Sequence, residues 1–344
     1  MKNFIKTVIF LGIIVALVIS LQVFFVPFFG KDTNQAATYY EIPENSIDVL
    51  VVGGSMTRVS VSPLEIYEQT GIVAYNRGSA RQLPEISYLN VKEALEKQDL
   101  KLVISNTSTL VNATGADRDE PFIRRGMDYR KLSWDKIKIA QEFASQSDWQ
   151  NVGSYIFPIF RYHDNWKKMG ETYRTKQEKT AYDYMHGQYP VYKHLYLEDR
   201  ELKQEDEEFE LVDRAVEYQT KIAELCKENG CQMLLLEMPD SRWTTAKHDA
   251  VQKFADSIGV KFIDFNTDNL LDICDIHWED DFYEGHHLNV KGSMKATDYL
   301  CGILQNEFHL KRSDVSDAIK EQFEQDYKRF VKDMKTIKYR EVKE

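Results

Sequence analysis

The chain begins with an uncharged stretch that is long enough to cross a lipid bilayer. No charged residue lies between Thr7 and Gly30, and an α-helix of that length covers roughly 36 Å, against a hydrocarbon core of about 30 Å. Lys2 and Lys6 precede the stretch, and basic residues favour the cytoplasmic side of a membrane. We therefore predict a single transmembrane anchor within residues 1–30 of a cell-membrane protein, with a cytoplasmic N-terminus and the rest of the chain outside.

A cleaved signal peptide is the alternative for this stretch. Its apolar region would be about 7 to 15 residues long and would end at a small-x-small site, and the sequence shows neither feature. Residues 31–46 are expected to form a polar tether. Aromatic side chains concentrate at membrane interfaces, and we expect four of them at the outer interface: Phe24, Phe25, Phe28 and Phe29.

Short apolar runs recur after the tether and predict strands. Continuous runs of this length are typical of strands that are buried on both faces of a parallel sheet. Stretches with helical spacing of apolar residues lie between the runs, at 85–97 and 211–227. Strands that alternate with helices predict a doubly wound α/β sheet, whose ligands bind at the carboxyl ends of the strands. The predicted strands are 47–52, 72–75, 102–105, 233–237 and 260–264.

The alternation is interrupted by a long insertion. The stretch at about 110–210 is rich in Tyr, Trp and charge, and we place it within an α/β domain of residues 47–310. Its aromatic segment Ile156–Trp166 is expected to plug the core beneath a long loop, or alternatively to form a lid or a carbohydrate-facing wall. Residues 311–344 follow the domain, and apolar residues three or four apart over 313–338 predict an amphipathic C-terminal helix.

Composition and charge exclude several classes of protein. The 344 residues are 43% hydrophobic and 29% charged, with 16 Gly and 8 Pro, which excludes collagen-like, low-complexity and mainly disordered chains. Lys and Arg number 44 against 55 Asp and Glu, for a net charge of −11. This average field repels phosphate polymers, so nucleic acid is not expected as a partner. The four Cys lack paired C-x-x-C zinc spacing and are expected as small core residues.

The first candidate for chemistry is a serine that follows the first predicted strand. Ser55 comes after two glycines in the window Asp48–Val59, DVLVVGGSMTRV. A serine in this position lies at the carboxyl edge of the sheet, where a turn of small residues allows a substrate to approach closely. The glycines would also suit a phosphate, but the dinucleotide and P-loop motifs are absent. The window therefore favours a nucleophile over a nucleotide site.

The second candidate lies far along the chain, in the window Asp280–Gly292, DDFYEGHHLNVKG. A serine nucleophile needs a base within hydrogen-bond reach and a carboxylate that orients this base. Glu284 precedes His287 by three residues, so one turn carries both an acid and a base. Metal binding is the alternative, although adjacent histidines rarely turn to the same ion. Its ligands would come from His277, Asp280, Asp281, Glu284, His286 and His287.

Together these residues resemble the SGNH/GDSL hydrolase family, in particular its membrane-anchored extracellular bacterial branch, which is distantly similar to the protein that transfers D-alanine to lipoteichoic acid. Gly53-Gly54-Ser55 is similar to the first family motif, which implies Ser55 as the nucleophile. Asn76-Arg77-Gly78-Ser79 is similar to the second, which implies Gly78 as an oxyanion donor. The stretch 284–289 is similar to the last motif, which implies His287 as the base.

The chain departs from the family pattern at two points. Glu284 stands where the family has Asp, and we rank it above Asp281 as the acid of the triad. The Gly-x-Asn-Asp motif is missing after the third strand, and Leu102–Thr109 offers only Asn106 as an approximate second oxyanion donor. The resemblance implies a flavodoxin-like three-layer α/β/α SGNH-hydrolase fold with a parallel sheet, and no cofactor or metal.

The resemblance also implies a function outside the cell. It suggests an ester hydrolase or O-acyltransferase that acts on an acylated polysaccharide or envelope polymer, with the bilayer and a membrane acyl-donor protein as further partners. A hydrolase and a transferase would use the same residues, so the sequence leaves both open. The departures keep a second function open, which is a non-catalytic scaffold in polymer modification or export. A basic patch of Arg124, Arg125, Arg130 and Lys131 is expected to offset the overall charge towards a polyanionic substrate.

Overall fold

A computed structural model shows an α/β protein with an apolar helix at its N-terminus. Its residues divide into two compact units. The anchor unit contains Met1–Tyr40 and Gly115–Tyr182, and the sheet unit contains Glu41–Thr114 and Asp183–Glu344. The structure describes residues 1–114, 116–146, 152–194, 202–205, 207–267, 269–336 and 340–341.

The predicted parallel sheet is confirmed and forms the centre of the sheet unit. Within the described residues it has five strands in the order β2-β1-β3-β5-β6, and all neighbours are parallel. In a doubly wound sheet of this kind the strand order reverses at one point, which here lies between β1 and β3. Two short ribbons, β4 with β9 and β7 with β8, lie outside it. The strands are β1 Val49–Val52, β2 Ala74–Asn76, β3 Leu102–Asn106, β4 Lys193–His194, β5 Gln232–Glu237, β6 Lys261–Asp264, β7 Phe282–Glu284, β8 His287–Leu288 and β9 Arg340–Glu341.

Helices cover the sheet because its strands are apolar on both faces. Val49 and Val51 belong to a buried cluster that includes Leu300, while Leu50 and Val103, on the alternate face, are also fully buried. The helices are α1 Lys2–Leu21, α2 Lys31–Glu41, α3 Ser55–Ser60, α4 Pro63–Thr70, α5 Pro84–Leu95, α6 Ser108–Val111, α7 Ala116–Met127, α8 Trp134–Gln146, α9 Val152–Ile156, α10 Ile159–Tyr162, α11 Met169–Lys179, α12 Asp213–Glu228, α13 Thr245–Ile258, α14 Leu270–Ile273, α15 Val290–Asn306 and α16 Asp317–Thr336.

The apolar spacing of residues 313–338 predicts a C-terminal helix, and α16 confirms it. Within the sheet unit, α16 packs against α4. The Phe323 ring lies 4.6 Å from the Tyr67 ring of α4 and stacks on His186 at 3.9 Å. His186 is buried and its Nε2 lies 3.0 Å from the carboxylate of Asp326. The last residue of the predicted helix, Lys338, lies outside the described residues.

Helix α1 of the anchor unit is long and apolar enough to cross a membrane, and no part of it is buried in the protein. Signal sequences share this length and composition, so both alternatives from the sequence stand. The helix ends at Leu21 rather than continuing to Gly30. Pro27, which lacks a backbone N–H, lies between α1 and α2. Residues 31–46, predicted as a tether, instead contain helix α2, and Thr33 and Tyr39 of this helix are buried.

Two expectations about the insertion are wrong. The segment 156–166 is not a core plug, because Phe160 is 59% and Trp166 is 61% exposed. The four basic residues do not form an exposed patch, since Arg124 and Arg130 are buried. The Arg124 guanidinium lies over the Tyr155 ring at 3.8 Å and donates to the Ser154 carbonyl at 2.9 Å, so it is part of the interior of the anchor unit.

The turn after β1 requires a glycine. Gly53 has a φ of +140°, and a Cβ at this position would lie 2.4 Å from the Cβ of Asn106, at the end of β3. Its N–H donates to Gln82 Oε1 at 3.1 Å, and its carbonyl accepts from the Ser79 N–H at 3.0 Å. The chain therefore leaves β1 through a contact that no other residue type fits.

We predict that Gly53→Ala destabilises the protein by about 2 to 4 kcal/mol, because it adds backbone strain and a steric clash with β3. Gly302→Ala is the matched control, since a Cβ there has only the Asn306 amide, at 4.0 Å, within reach. In the interior of α15 this change should stabilise by about 0.5 to 1 kcal/mol. Urea denaturation of the full chain measures both, and equal stability of the two variants would contradict the close contact.

Candidate active site

Ser55 begins helix α3 at the carboxyl end of β1, next to the point where the strand order reverses. Parallel pairing of β1 with β3 brings Val52 opposite Ser105, so the residues that follow both strands meet at one edge of the sheet. Ligands of doubly wound sheets bind at this edge. A Cβ on Gly54 would lie 3.3 Å from Ser108 Oγ, which shows how closely the residues after β3 approach the serine turn.

A short hairpin carries His287 to the same edge. Strands β7 and β8 are antiparallel, and Glu284 is the direct partner of His287 in their register. The apolar residues Phe282 and Leu288 are buried beneath the hairpin. Asn289 then caps α15, with its Oδ1 accepting from the Lys291 N–H at 2.9 Å.

Three predicted residues form one chain of hydrogen bonds. His287 Nε2 lies 2.8 Å from Ser55 Oγ, and His287 Nδ1 lies 3.0 Å from Glu284 Oε2. The tautomer that satisfies both contacts carries its proton on Nδ1 and donates it to Glu284. The lone pair of Nε2 then faces the serine hydroxyl. This is the arrangement in which a histidine accepts the proton of a nucleophile.

The surroundings keep the imidazole neutral. Burial lowers the pKa of His287 below its usual value, and the hydrogen bond to the Glu284 carboxylate opposes part of that effect. Burial and the neighbouring His287 ring lower the pKa of His286 to about 4. These effects favour the neutral form of both rings, which is the form in which His287 Nε2 can accept a proton.

Asp281 has a different position from Glu284. It is fully buried, and its Oδ2 accepts from the His277 N–H at 2.9 Å and from Lys295 Nζ at 2.8 Å. These contacts tie the base of the hairpin to helix α15. The carboxylate that meets His287 is therefore that of Glu284, which is 44% exposed.

The two predicted oxyanion donors are already engaged within the fold. The Gly78 N–H donates to Asn76 Oδ1 at 2.9 Å. Asn106 Nδ2 donates to the Leu236 carbonyl at 3.1 Å, and its second N–H lies 3.5 Å from Glu237 Oε2. The structure thus places both residues at the edge of the sheet that carries Ser55, but it does not present either as a free donor.

A buried carboxyl group, which no motif in the sequence marks, lies beneath this edge of the sheet. Glu237 ends β5, is 1% exposed and accepts a hydrogen bond from the Thr107 hydroxyl. Burial raises its pKa well above the ordinary value, and the nearby carboxylates of Asp240 and Asp264 raise it further. A neutral Glu237 can therefore bridge β5 to the residues that follow β3.

The loop after β5 approaches the hairpin and brings a cation. The Ser241 N–H donates to the Gly285 carbonyl at 2.7 Å. The Arg242 guanidinium donates two hydrogen bonds, of 2.9 and 2.8 Å, to the carboxylate of Asp240. The positive charge of Arg242 is close enough to contribute to the low pKa of His287. Neither Asp240 nor Arg242 follows a recognisable motif, so the sequence did not single them out.

Within the described part of the chain, one group of three residues could hold a metal ion. Glu284, His286 and His287 each offer a ligand atom, and these atoms lie within 4.8 Å of one another. Two of them already form the hydrogen bond that orients His287, so an ion would compete with the triad. Of the other predicted ligands, His277 pairs with the Asp275 carboxylate at 2.9 Å and Asp281 pairs with Lys295.

Comparisons with known proteins add no family assignment: no protein-family model matches this chain, and no curated protein matches it. The arrangement of its own residues therefore carries the functional argument.

We predict that Glu237→Gln stabilises the protein increasingly as the pH rises. Below the ordinary carboxyl pKa of 4.5, Glu237 is protonated in both states and the two proteins should be nearly equal in stability. Above it, the unfolded carboxyl group loses its proton while the buried one must hold it, so wild type loses stability and the amide does not. Urea denaturation across this pH range measures the difference.

Glu224→Gln, an exposed change on α12, is the control and should leave the pH dependence unaltered. A constant difference between wild type and Glu237→Gln at all pH values would contradict a neutral Glu237.

Proposed function

We propose that this protein is an extracytoplasmic serine ester hydrolase or O-acyltransferase of the SGNH/GDSL type, acting on an acylated cell-envelope polymer or exopolysaccharide. The observation that carries the proposal is the hydrogen-bonded series Ser55–His287–Glu284, assembled at the carboxyl edge of a parallel sheet from residues more than 200 positions apart. The strand order of the sheet and the similarity of three short motifs support the family assignment.

The geometry gives each residue a role in acyl transfer. Ser55 Oγ attacks the ester carbonyl carbon while its proton moves to His287 Nε2, and the Glu284 carboxylate stabilises the resulting imidazolium. The intermediate then collapses, and His287 returns the proton to the departing alkoxide. Water or a sugar hydroxyl attacks the acyl-Ser55 ester, with His287 accepting its proton, and Ser55 is regenerated. Attack by water makes the protein a hydrolase, whereas attack by a sugar makes it a transferase.

The oxyanion needs donors at the serine turn. The N–H of Ser55 lies in the first turn of α3, where it has no acceptor within the helix. Gly78 supplies the second donor if its N–H exchanges Asn76 Oδ1 for the substrate oxygen. Loss of one oxyanion donor typically costs about 3 to 4 kcal/mol of transition-state stabilisation.

The cellular location follows from α1 in this proposal. A single helix that crosses the cell membrane, with Lys2 and Lys6 on the cytoplasmic side, leaves the sheet unit and the rest of the anchor unit outside. A polymer of the envelope would then reach the site, and a membrane protein would deliver an acyl group if the enzyme is a transferase. No cofactor takes part in these steps, and nucleic acid is not among the proposed partners.

One observation favours a second function. Because the Gly78 and Asn106 donors are both engaged, the same fold would serve as a non-catalytic scaffold in polymer modification or export. A reagent that reacts with the nucleophile separates the two functions.

We predict that a fluorophosphonate probe labels the wild-type chain and not Ser55→Ala. His287→Ala should slow labelling at least about 10³-fold, because Ser55 loses the acceptor of its proton, and Glu284→Gln about 10²- to 10⁴-fold, because the imidazole loses the carboxylate that orients it. Asp280→Asn, which removes an exposed carboxylate of the same window, is the control and should label at the wild-type rate. Mass spectrometry locates the adduct.

Labelling of Ser55→Ala would disprove Ser55 as the nucleophile. Absence of labelling in all folded variants, wild type included, would favour the scaffold.

The pH dependence of labelling tests the base. His287 must be neutral to accept the serine proton, and burial lowers its pKa, so we predict that labelling falls to half its maximum at a pH below the usual imidazole value of about 6.5. Glu284→Gln should move this midpoint to still lower pH, since the carboxylate raises the pKa of His287. A midpoint at or above 6.5 in wild type, or no shift in the variant, would contradict the assignment.

A further inference from the structure

The end of helix α1 is fixed to one part of the insertion within the anchor unit. The Phe24 ring lies 4.7 Å from the Tyr173 ring of α11. The Phe25 carbonyl accepts from Asn165 Nδ2 at 2.9 Å, and the Pro27 carbonyl accepts from the Tyr129 hydroxyl. The predicted interfacial phenylalanines therefore do not simply face lipid. Phe24 and Phe25 attach the end of α1 to residues 159–179, which we call the belt segment. The belt segment comprises α10, the 3₁₀ helix His163–Lys168 and α11.

The length of α1 sets the depth of the belt segment in a bilayer. The 20 residues of Lys2–Leu21 extend for about 30 Å as an α-helix, which equals the thickness of a hydrocarbon core when the long side chains of Lys2 and Lys6 reach back to the cytoplasmic headgroups. Residues that follow Leu21 then lie at the level of the lipid headgroups. Because Phe24 and Phe25 are in contact with the belt segment, that segment lies at the same level.

The belt segment exposes large apolar side chains that a water-facing surface does not require. Phe160 is 59%, Trp166 is 61% and Met169 is 37% exposed. Tryptophan and phenylalanine are favoured where hydrocarbon meets headgroups. A carbohydrate-facing wall would also use aromatic rings, but it would not need to be attached to the end of a membrane helix.

The charge of the belt segment also suits a lipid surface. It contains six basic and three acidic residues, in a chain whose net charge is −11. Lys167 Nζ lies 5.8 Å from the centre of the exposed Trp166 ring, and Lys168 follows directly. When an ammonium group lies beside an aromatic ring, the ring can lie at the acyl boundary while the ammonium group contacts a headgroup phosphate.

We infer that the belt segment lies in the headgroup layer of the bilayer that α1 crosses, with Phe160, Trp166 and Met169 at the acyl boundary and with Lys167 and Lys168 at anionic lipid phosphates. This inference rests on the proposed membrane anchor. A second point of contact stops the anchor unit from pivoting about α1 and holds it at a fixed height above the membrane.

Quenching of tryptophan by brominated lipids tests the inference, because α1 contains no Trp. The full chain is reconstituted in vesicles of phosphatidylcholine and phosphatidylglycerol with or without bromine on the acyl chains. We expect wild-type fluorescence to be quenched and Trp166→Phe to lose most of the quenched fraction. Trp243→Phe, which removes a buried Trp of the sheet unit, should leave that fraction unchanged. Wild-type quenching in Trp166→Phe would overturn the inference.

The lysines are tested in the same vesicles. We expect Lys167→Gln/Lys168→Gln to lose the extra quenching that phosphatidylglycerol gives over phosphatidylcholine alone. Lys328→Gln/Lys332→Gln, on the exposed face of α16, is the matched control and should retain it. Equal behaviour of the two double variants would overturn the role of Lys167 and Lys168.

Extraction with alkaline carbonate separates failure of the belt from failure of the anchor. A chain that stays in the membrane but shows no quenching of Trp166 contradicts the belt alone. A chain that carbonate removes from the vesicles contradicts the proposed anchor itself, and with it the inference.

Discussion

The turn that carries Ser55 depends on a close contact between the ends of β1 and β3. Gly53 approaches Asn106 so closely that no Cβ fits, and its positive φ turns the chain directly into α3. That turn fixes the backbone of Ser55 at the carboxyl edge of the sheet. The hydrogen bonds of Gly53 with Gln82 and Ser79 tie the turn to the loop after β2. The position of Ser55, the proposed nucleophile, is therefore set by the packing of the backbone at this turn.

His287 and Glu284, the proposed base and acid, are positioned by the short hairpin of β7 and β8. Phe282 stacks on Trp278 at 4.0 Å, and Asp281 joins the base of the hairpin to Lys295. The register of β7 with β8 sets Glu284 directly opposite His287. A change in register by one residue would turn these side chains to opposite faces, so the small hairpin decides whether the hydrogen-bonded series can form.

Sequence patterns predicted some parts of the protein much better than others. The five strands were predicted because continuous apolar runs report burial on both faces of a sheet, and α16 because its apolar residues recur at helical spacing. The prediction that the aromatic segment 156–166 fills the core is wrong, since a pattern cannot tell aromatic residues that fill a core from those that are exposed. The basic residues were misplaced on the surface because Arg124 is satisfied by tertiary contacts with Ser154 and Tyr155.

By itself, the sequence determined the parallel α/β class, an apolar helix long enough for a membrane, and the residue types of a serine, a histidine and an acid. These features depend on local composition and spacing, which the chain carries wherever it folds. Only the tertiary structure decided that Glu284 rather than Asp281 meets His287, that Gly78 and Asn106 are engaged, and that Glu237 lies buried beneath them. Each of these depends on which groups the fold brings into contact, because burial and hydrogen bonding act between residues that sequence spacing does not relate.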